Sequence, residues 1–194
     1  LDRSAISPTE NAVAQLEHVN RKYSLGISER ANRNDLPESD EATAHRMLSL
    51  GQVSRAVEAC GSWSELEPFS AEPAVLGSFL ACISGGTIDQ GIRLLDCALI
   101  SNPSDETLLN NKAVLLSLAD RPREASEVLS HCRPASLDGD PTYWATTGLV
   151  AMRSGLFDEG ISHYEKAISI AKEERKPLVA LRAFLFMGRE MIRF

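Results

Sequence analysis

The fold is decided by residues 144–167, WATTGLVAMRSGLFDEGISHYEKA. In this block Gly148 is followed 12, 16 and 19 positions later by small or apolar residues. The same three offsets recur after Ala113 and after Phe79, so successive blocks begin 34 and 35 residues apart. A repeat of this length predicts a solenoid of stacked helix pairs, in which each block is one pair. Stacked repeats present an extended surface to another molecule, so the pattern favours binding over catalysis.

The blocks resemble the tetratricopeptide repeat. That family's motif has a large and a small residue on the first helix, a glycine at the turn, and a small residue, an aromatic residue and an alanine on the second helix. We call these six motif positions stations. In the last block they are occupied by Trp144, Gly148, Gly155, Gly160, Tyr164 and Ala167. Small residues at such stations let the two helices of a pair approach closely. Phe79 fills the small station of the first block, so we expect that helix pair to be splayed or re-registered.

The resemblance implies an all-α, right-handed superhelix of about three to four helix pairs, with a repeat domain over 41–194. The two earlier blocks turn at Gly85-Gly86 and at Asp120-Arg121-Pro122. A terminal helix either caps the domain or begins another repeat, because a solenoid needs its open apolar end covered. We expect the three clear repeats at about 72–105, 106–140 and 141–175. A degenerate repeat is expected before them, at about 41–66, and the terminal helix after them, at 176–194.

Two segments precede the repeats, an N-terminal helix over 1–27 and a polar linker over 28–40. The run Ser7-Pro8-Thr9-Glu10 is typical of a helix start, since serine caps a helix and proline suits its first turn. This helix has one apolar side, formed by Val13, Leu16, Val19 and Tyr23. The apolar side either caps the first repeat or folds back into the groove of the solenoid.

Size and charge restrict the class of protein. The chain has 194 residues, a net charge of -7 and a pI near 5.2, and its cationic residues are scattered. Nucleic acid is not expected as the principal ligand, since phosphate binding needs clustered cations. No run approaches the roughly 18 to 20 apolar residues of a membrane span, and no leader precedes the first helix, so we expect a cytoplasmic protein. A first residue other than Met suggests a fragment or a processed form.

Residues for catalysis or metal binding are not grouped in the sequence. It contains no phosphate loop, dinucleotide fingerprint, nucleophile elbow or zinc-protease helix. Cys60, Cys82, Cys97 and Cys132 form no CxxC pair, and three of them fall at core stations, where a thiol acts as an apolar filler. His131 precedes Cys132, but adjacent helical residues point about 100° apart. We therefore expect no catalytic residue, no metal site and no cofactor.

The family resemblance implies a concave groove, lined by the first helix of each repeat, that holds a peptide or a helix. Some members grip the acidic tails of chaperones with a set of basic and Asn residues. Here Asn110 and Asn111 suggest such a set, but its basic residues are missing from the first helix of the preceding block, so tail binding of that kind is not expected. The groove is instead expected to be mainly aliphatic, with residues Leu76, Leu80, Ile83, Asn110, Val114, Ser117, Ala145, Leu149, Met152 and Arg153. The alternative is that some of these side chains face neighbouring helices, which would leave a narrower groove.

The sequence predicts a non-catalytic scaffold or adaptor that binds a peptide or an amphipathic helix of a partner protein. Two alternatives stay open. The chain is the regulatory or recruiting region of a larger enzyme, for example a nuclease, or it is a chaperone of the bacterial secretion type. The terminal helix offers a further surface, since Phe184 and Met187 are too apolar for a finished solvent face. They predict docking on a partner or a homodimer through that helix.

Overall fold

The computed structural model of the chain describes residues 22–24, 39–132 and 139–193. The N-terminal helix predicted over 1–27 and the linker over 28–40 lie outside the described residues, apart from 22–24 and the linker's last two. Between residues 39 and 193 the described chain forms nine helices. They are α1 (Asp40–Ser49), α2 (Val53–Leu66), α3 (Glu72–Ser84), α4 (Ile88–Ser101), α5 (Glu106–Leu118), α6 (Pro122–Ser130), α7 (Pro141–Arg153), α8 (Phe157–Glu173) and α9 (Pro177–Arg193).

Consecutive helices pack as hairpins, α1 with α2, α3 with α4, α5 with α6 and α7 with α8. The first helices α3, α5 and α7 also contact one another in order, and α9 packs on α7 and α8. Buried apolar side chains form a larger cluster that begins at α1 and a smaller one shared by α7, α8 and α9. None of the described helices is both long and apolar enough to cross a membrane.

Short polar signals set the helix ends. Ser39, Asp105 and Asp140 precede α1, α5 and α7, and the side-chain oxygen of each accepts a backbone N–H bond at 2.8 to 3.2 Å. Such caps satisfy donors that have no partner within the helix. Gly85 and Gly155 lie in the turns that follow α3 and α7, with φ of 66° and 84°. Glycine adopts this left-handed conformation without strain, which explains why these turns contain it.

Gly148 and Gly160 allow α7 and α8 to approach closely. A Cβ atom on either glycine would lie 2.9 Å from the carbonyl oxygen of the other. The ring of Tyr164 fills the adjoining space, since a Cβ on Gly148 would lie 2.7 Å from its Cδ2 atom. Three stations of the repeat therefore meet at one contact, and two of them have no room for a side chain.

The α3–α4 pair reaches a similarly close contact through different residues. A Cβ atom on Gly91 would lie 2.7 Å from the Cβ of Ala81 and 3.5 Å from the Cα of Ser78. The contact is thus made beside position 79 rather than at it. Phe79 points away from the pair and stays 43 % exposed. Gly91 therefore contacts α3 at Ser78 and Ala81 instead of at position 79. This shift leaves room for the large side chain of Phe79.

Candidate functional site

A cavity of about 450 Å³, here called the groove, lies among the first helices of the hairpins. Helices α3, α5, α7 and α9 form it, with Tyr164 contributed by α8. Among the described residues that line it, Arg182 is the one with a charge. The other lining residues are Val75, Ser78, Phe79, Cys82, Ile83, Thr107, Asn110, Asn111, Val114, Leu115, Thr142, Ala145, Thr146, Leu149, Val179, Ala183 and Phe186.

The outer walls of the groove are α3 and α9. On α3, Phe79 and Ile83 are 43 and 57 % exposed. From α9, Arg182 reaches across so that its guanidinium carbon lies 5.5 Å from the centroid of the Phe79 ring. The two walls therefore approach each other at this point. Large apolar side chains left partly exposed beside a cavity are typical of a surface that contacts another molecule.

A row of polar residues on α5, between the walls, also lines the groove. Thr107, Asn110 and Asn111 follow helical spacing and so share one face. The Nδ2 atom of Asn111 donates to the hydroxyl of Ser78 at 3.1 Å. The Oδ1 atom of Asn110 is buried and accepts no hydrogen bond from the described residues. A buried acceptor without a partner costs about 1–3 kcal/mol, so Asn110 is an unsatisfied polar position beside the groove.

Solved structures share this arrangement of helices. TTC0263, a thermophilic TPR protein of Thermus thermophilus, is 19 % identical, with a TM-score of 0.57 over 90 % of this chain and 89 % of that one. The chain has a tetratricopeptide-repeat fold. MamA of Desulfovibrio magneticus RS-1, from position 41 to its end, is 18 % identical, with a TM-score of 0.54 over 76 % of this chain and 89 % of that one. No protein-family model and no curated protein sequence matches the chain.

The tetratricopeptide-repeat fold brings half of the ten predicted groove residues onto the groove. These are Ile83, Asn110, Val114, Ala145 and Leu149. The other five do not line it, because they are buried in or against the core or held in an ion pair. They are Leu76, Leu80, Ser117, Met152 and Arg153. The groove is therefore narrower than a groove lined by all ten predicted residues.

The difference has a physical reason on each helix. On α5 and α7 the lining begins a turn earlier than predicted, at Thr107 and Thr142. On α3, Phe79 lines the groove, whereas its smaller neighbour Leu80, which was predicted to line it, is fully buried. Apolar character alone cannot separate a core face from a groove face when both are apolar. The sequence contained one sign of the groove face on α3, namely Phe79, because its side chain is too large for a small station and must turn away from the helix pair.

Arg153 belongs to an ion-pair network that holds α9 in place. Its guanidinium donates to both carboxylate oxygens of Glu190, which is fully buried, and to Asp120 at 2.7 Å. Arg189 donates to Glu190 at 2.9 Å, and Arg193 donates to Asp120 at 2.7 Å. The network thus links α9 to α7 and to the turn after α5. It fixes the position of one wall of the groove.

Acid should weaken this network. Burial acts to raise the pKa of Glu190, but hydrogen bonds and charges from Arg153 and Arg189 more than offset it, so the pKa lies below its usual value. The pKa of Asp120 is also lowered, chiefly by the hydrogen bond from Arg193. A carboxyl group with a depressed pKa in the folded state contributes stability that is present above its unfolded pKa, about 4, and is lost as the pH falls through the folded pKa.

We therefore expect the free energy of unfolding to decrease as the pH is lowered from about 5 to about 3. The decrease should be smaller in Glu190→Gln, which cannot ionise at this position. Denaturant titrations at a series of pH values measure both slopes. Parallel curves for the wild type and the variant would contradict the role given to Glu190.

The four cysteines are free and differ in environment. Cys60 and Cys132 are buried, and burial raises the pKa of each thiol to about 11. Cys97 is exposed, and Cys82 is partly buried on the groove, where burial raises its pKa. His131 is exposed beside the buried Cys132, so the two do not share a site. Among the described residues, no group of three or more His, Cys, Asp and Glu side chains is placed to hold a metal ion.

The side of α9 that faces away from α7 and α8 is apolar and exposed. Six residues there are each at least 53 % exposed, namely Leu178, Leu181, Phe184, Leu185, Met191 and Ile192. The two predicted interface residues are separated by the structure. Phe184 lies on this outward face, whereas Met187 packs partly buried against the core cluster of α7, α8 and α9.

Proposed function

We propose that this protein is a non-catalytic interaction scaffold that binds a peptide or an amphipathic helix of a partner protein in the groove. The proposal is carried by the groove itself, a mostly apolar cavity of about 450 Å³ with Phe79 and Ile83 partly exposed on its wall. Binding pockets typically have such a volume and a few polar groups among apolar walls. Covering the two side chains would stabilise a complex by about 1 kcal/mol each.

Charge and fold support a protein partner. The net charge of -7 opposes binding to a polyanion such as nucleic acid. Stacked helix pairs form continuous surfaces that suit an elongated ligand such as a peptide. Four free cysteines suit a reducing compartment, so the proposal places the protein in the cytoplasm.

The test of this proposal compares Ile83→Asp with Ile100→Asp. Both isoleucines are the last but one residue of a helix, and they are 57 and 82 % exposed, so neither change should disturb folding. Only Ile83 lines the groove. We expect partner proteins isolated with the wild type to bind Ile83→Asp at least tenfold more weakly, a loss of about 1.4 kcal/mol. Ile100→Asp should bind them as the wild type does.

Circular dichroism of both variants checks that helix content is unchanged. If Ile83→Asp retains the same partners with the same affinity as Ile100→Asp, binding takes place outside the groove and the proposal is wrong.

A second function is favoured by the outward face of α9, which we propose pairs with the same face of a second copy. Six exposed apolar side chains of about 100 Å² each would bury roughly 600 Å² per copy. The total, about 1,200 Å², reaches the lower limit of stable interfaces. A symmetric pair of this kind uses the same patch on both copies.

Sedimentation velocity tests the pairing. We expect the wild type to sediment as a dimer at micromolar concentration and Phe184→Asp to sediment as a monomer, because the new carboxylate would be buried without a partner. Ile100→Asp, which places the same charge outside α9, should remain a dimer. A monomeric wild type would show that this face does not pair with itself.

A further inference from the structure

The outward face of α9 has a glycine among its large apolar side chains. Gly188 lies within the helix, and the residues three and four positions before and after it are Phe184, Leu185, Met191 and Ile192. Residues at these spacings are neighbours on the surface of a helix, and all four are exposed. A Cβ atom on Gly188 would meet nothing within 4 Å. No contact in the described part of the chain therefore requires a glycine at this position.

Other glycines inside the described helices lie where two helices touch. A Cβ atom on any of four of them would come closer than 3.0 Å to an atom of a neighbouring helix, namely on Gly77, Gly91, Gly148 and Gly160. Glycine makes a helix less stable than alanine does, and close packing of the helices offsets that loss. In this protein a glycine inside a helix thus usually marks a close contact between helices.

Gly61 on α2 is an exception, and its surroundings differ from those of Gly188. A Cβ atom there also meets nothing within 4 Å. At the same spacings, however, Gly61 has the polar residues Glu58, Ser64 and Glu65. A polar surface needs no cover, whereas an exposed apolar surface around an open glycine is suited to close packing by a helix from another molecule.

Charge is absent from the outward face of α9. Its described residues are apolar, and the three arginines of α9 make contacts elsewhere. Arg182 lies over the ring of Phe79 at the groove. Arg189 and Arg193 each pair with a carboxylate of the network that fixes α9. Two copies of the chain can therefore bring their outward faces together without burying a charge.

Symmetry decides which residues of the two copies meet. In a two-fold pair, a residue that lies on the axis faces its own counterpart. Two glycines at that point let the helix backbones approach as α7 and α8 do, where a Cβ on Gly148 or Gly160 would lie 2.9 Å from the carbonyl oxygen of the other. The large side chains on either side of the crossing point then pack against the partner helix.

We infer that two copies pair through α9 with Gly188 of each copy at the crossing point of the two helices. This inference rests on the pairing proposed above and assigns its closest contact. The α9 residues that line the groove, Val179, Arg182 and Phe186, lie on the other side of the helix, so the pairing leaves both grooves open.

The test compares Gly188→Ala with Gly61→Ala. Each adds one methyl group to a glycine that has open space around it within its own copy. We expect Gly188→Ala to raise the dissociation constant of the dimer by about tenfold, because the two added methyl groups would meet at the crossing point. Sedimentation equilibrium measures this constant, and Gly61→Ala should leave it unchanged.

Stability of the single copy provides the second measurement. Phe184→Asp, which is expected to be monomeric, serves as the background for both alanine substitutions. Each should shift the urea midpoint of this monomer upward by a similar amount, because alanine favours a helix over glycine. Gly188→Ala should therefore stabilise the single copy and weaken the pair, a combination that a glycine needed only for its own fold would not give.

The outcomes separate the inference from the proposed pairing. A Gly188→Ala dimer as tight as the wild type overturns the crossing point at Gly188 and leaves the pairing in place. A lower urea midpoint of Gly188→Ala in the monomeric background also overturns the inference, because the glycine would then be required within one copy. A monomeric wild type, or a Phe184→Asp variant that remains a dimer, overturns both.

Discussion

Glu190→Ala is expected to destabilise the protein by about 3–5 kcal/mol, the range observed when one partner of a buried ion pair is removed. Glu190 is fully buried and accepts hydrogen bonds from Arg153 and Arg189. The side chain of Arg153 is itself only 5 % exposed, so the substitution leaves a buried cation without its main acceptor. Its remaining contacts, the exposed Asp120 and the carbonyl of Ser117, do not replace that carboxylate.

Chemical denaturation followed by circular dichroism measures this loss. Glu174→Ala is the control, because Glu174 pairs with Lys176 at 2.9 Å on the surface and an exposed pair contributes only about 0–1 kcal/mol. Since Glu190 fixes α9, the variant should also lose affinity for ligands of the groove. A loss of stability no larger than that of Glu174→Ala would show that the network does not hold the helix.

Gly160→Ala is expected to destabilise the protein by about 2 kcal/mol, although alanine favours a helix by about 1 kcal/mol over glycine. A Cβ atom at Gly160 would clash with the Cγ of Met152 and lie 2.9 Å from the carbonyl oxygen of Gly148 and 3.0 Å from the backbone nitrogen of Met152. Two of these atoms belong to the backbone of α7, so the helices themselves must move apart. The gain in helix propensity cannot offset that separation.

Gly61→Ala provides a matched control for this prediction. Gly61 lies within α2, and a Cβ atom there would meet nothing within 4 Å. We expect it to raise the free energy of unfolding by about 0.5–1 kcal/mol, the propensity gain alone. Thermal or urea denaturation of both variants measures the contrast. If Gly160→Ala were as stable as Gly61→Ala, α7 and α8 would not be in close contact.

The helical repeat could be predicted from the sequence because its signals are local. The glycine turns at Gly85 and Gly155 follow from the conformation that such turns require. The small stations at Gly148 and Gly160 follow from the close approach of paired helices. Each signal needs only residues within one repeat, so a single block carries the information for its own hairpin.

The groove and the docking of α9 could not be predicted in the same way, because they depend on distant residues. Arg153 looked like a polar position of the groove, yet its partner Glu190 lies 37 residues further along the chain. Leu80 and Phe79 are neighbours with similar hydrophobicity, and the packing of other helices against α3 decides which of them is buried. Contacts between repeats, rather than periodicity, determine both features.

Site-specific photocrosslinking shows whether a partner lies in the groove. A photoreactive phenylalanine analogue is placed at Ile83 on the groove and, separately, at Ile100 outside it, and each protein is irradiated with its isolated partner. We expect a crosslinked partner from position 83 and none from position 100. A partner crosslinked from position 100 alone would show that binding takes place outside the groove and that the groove is not the functional site.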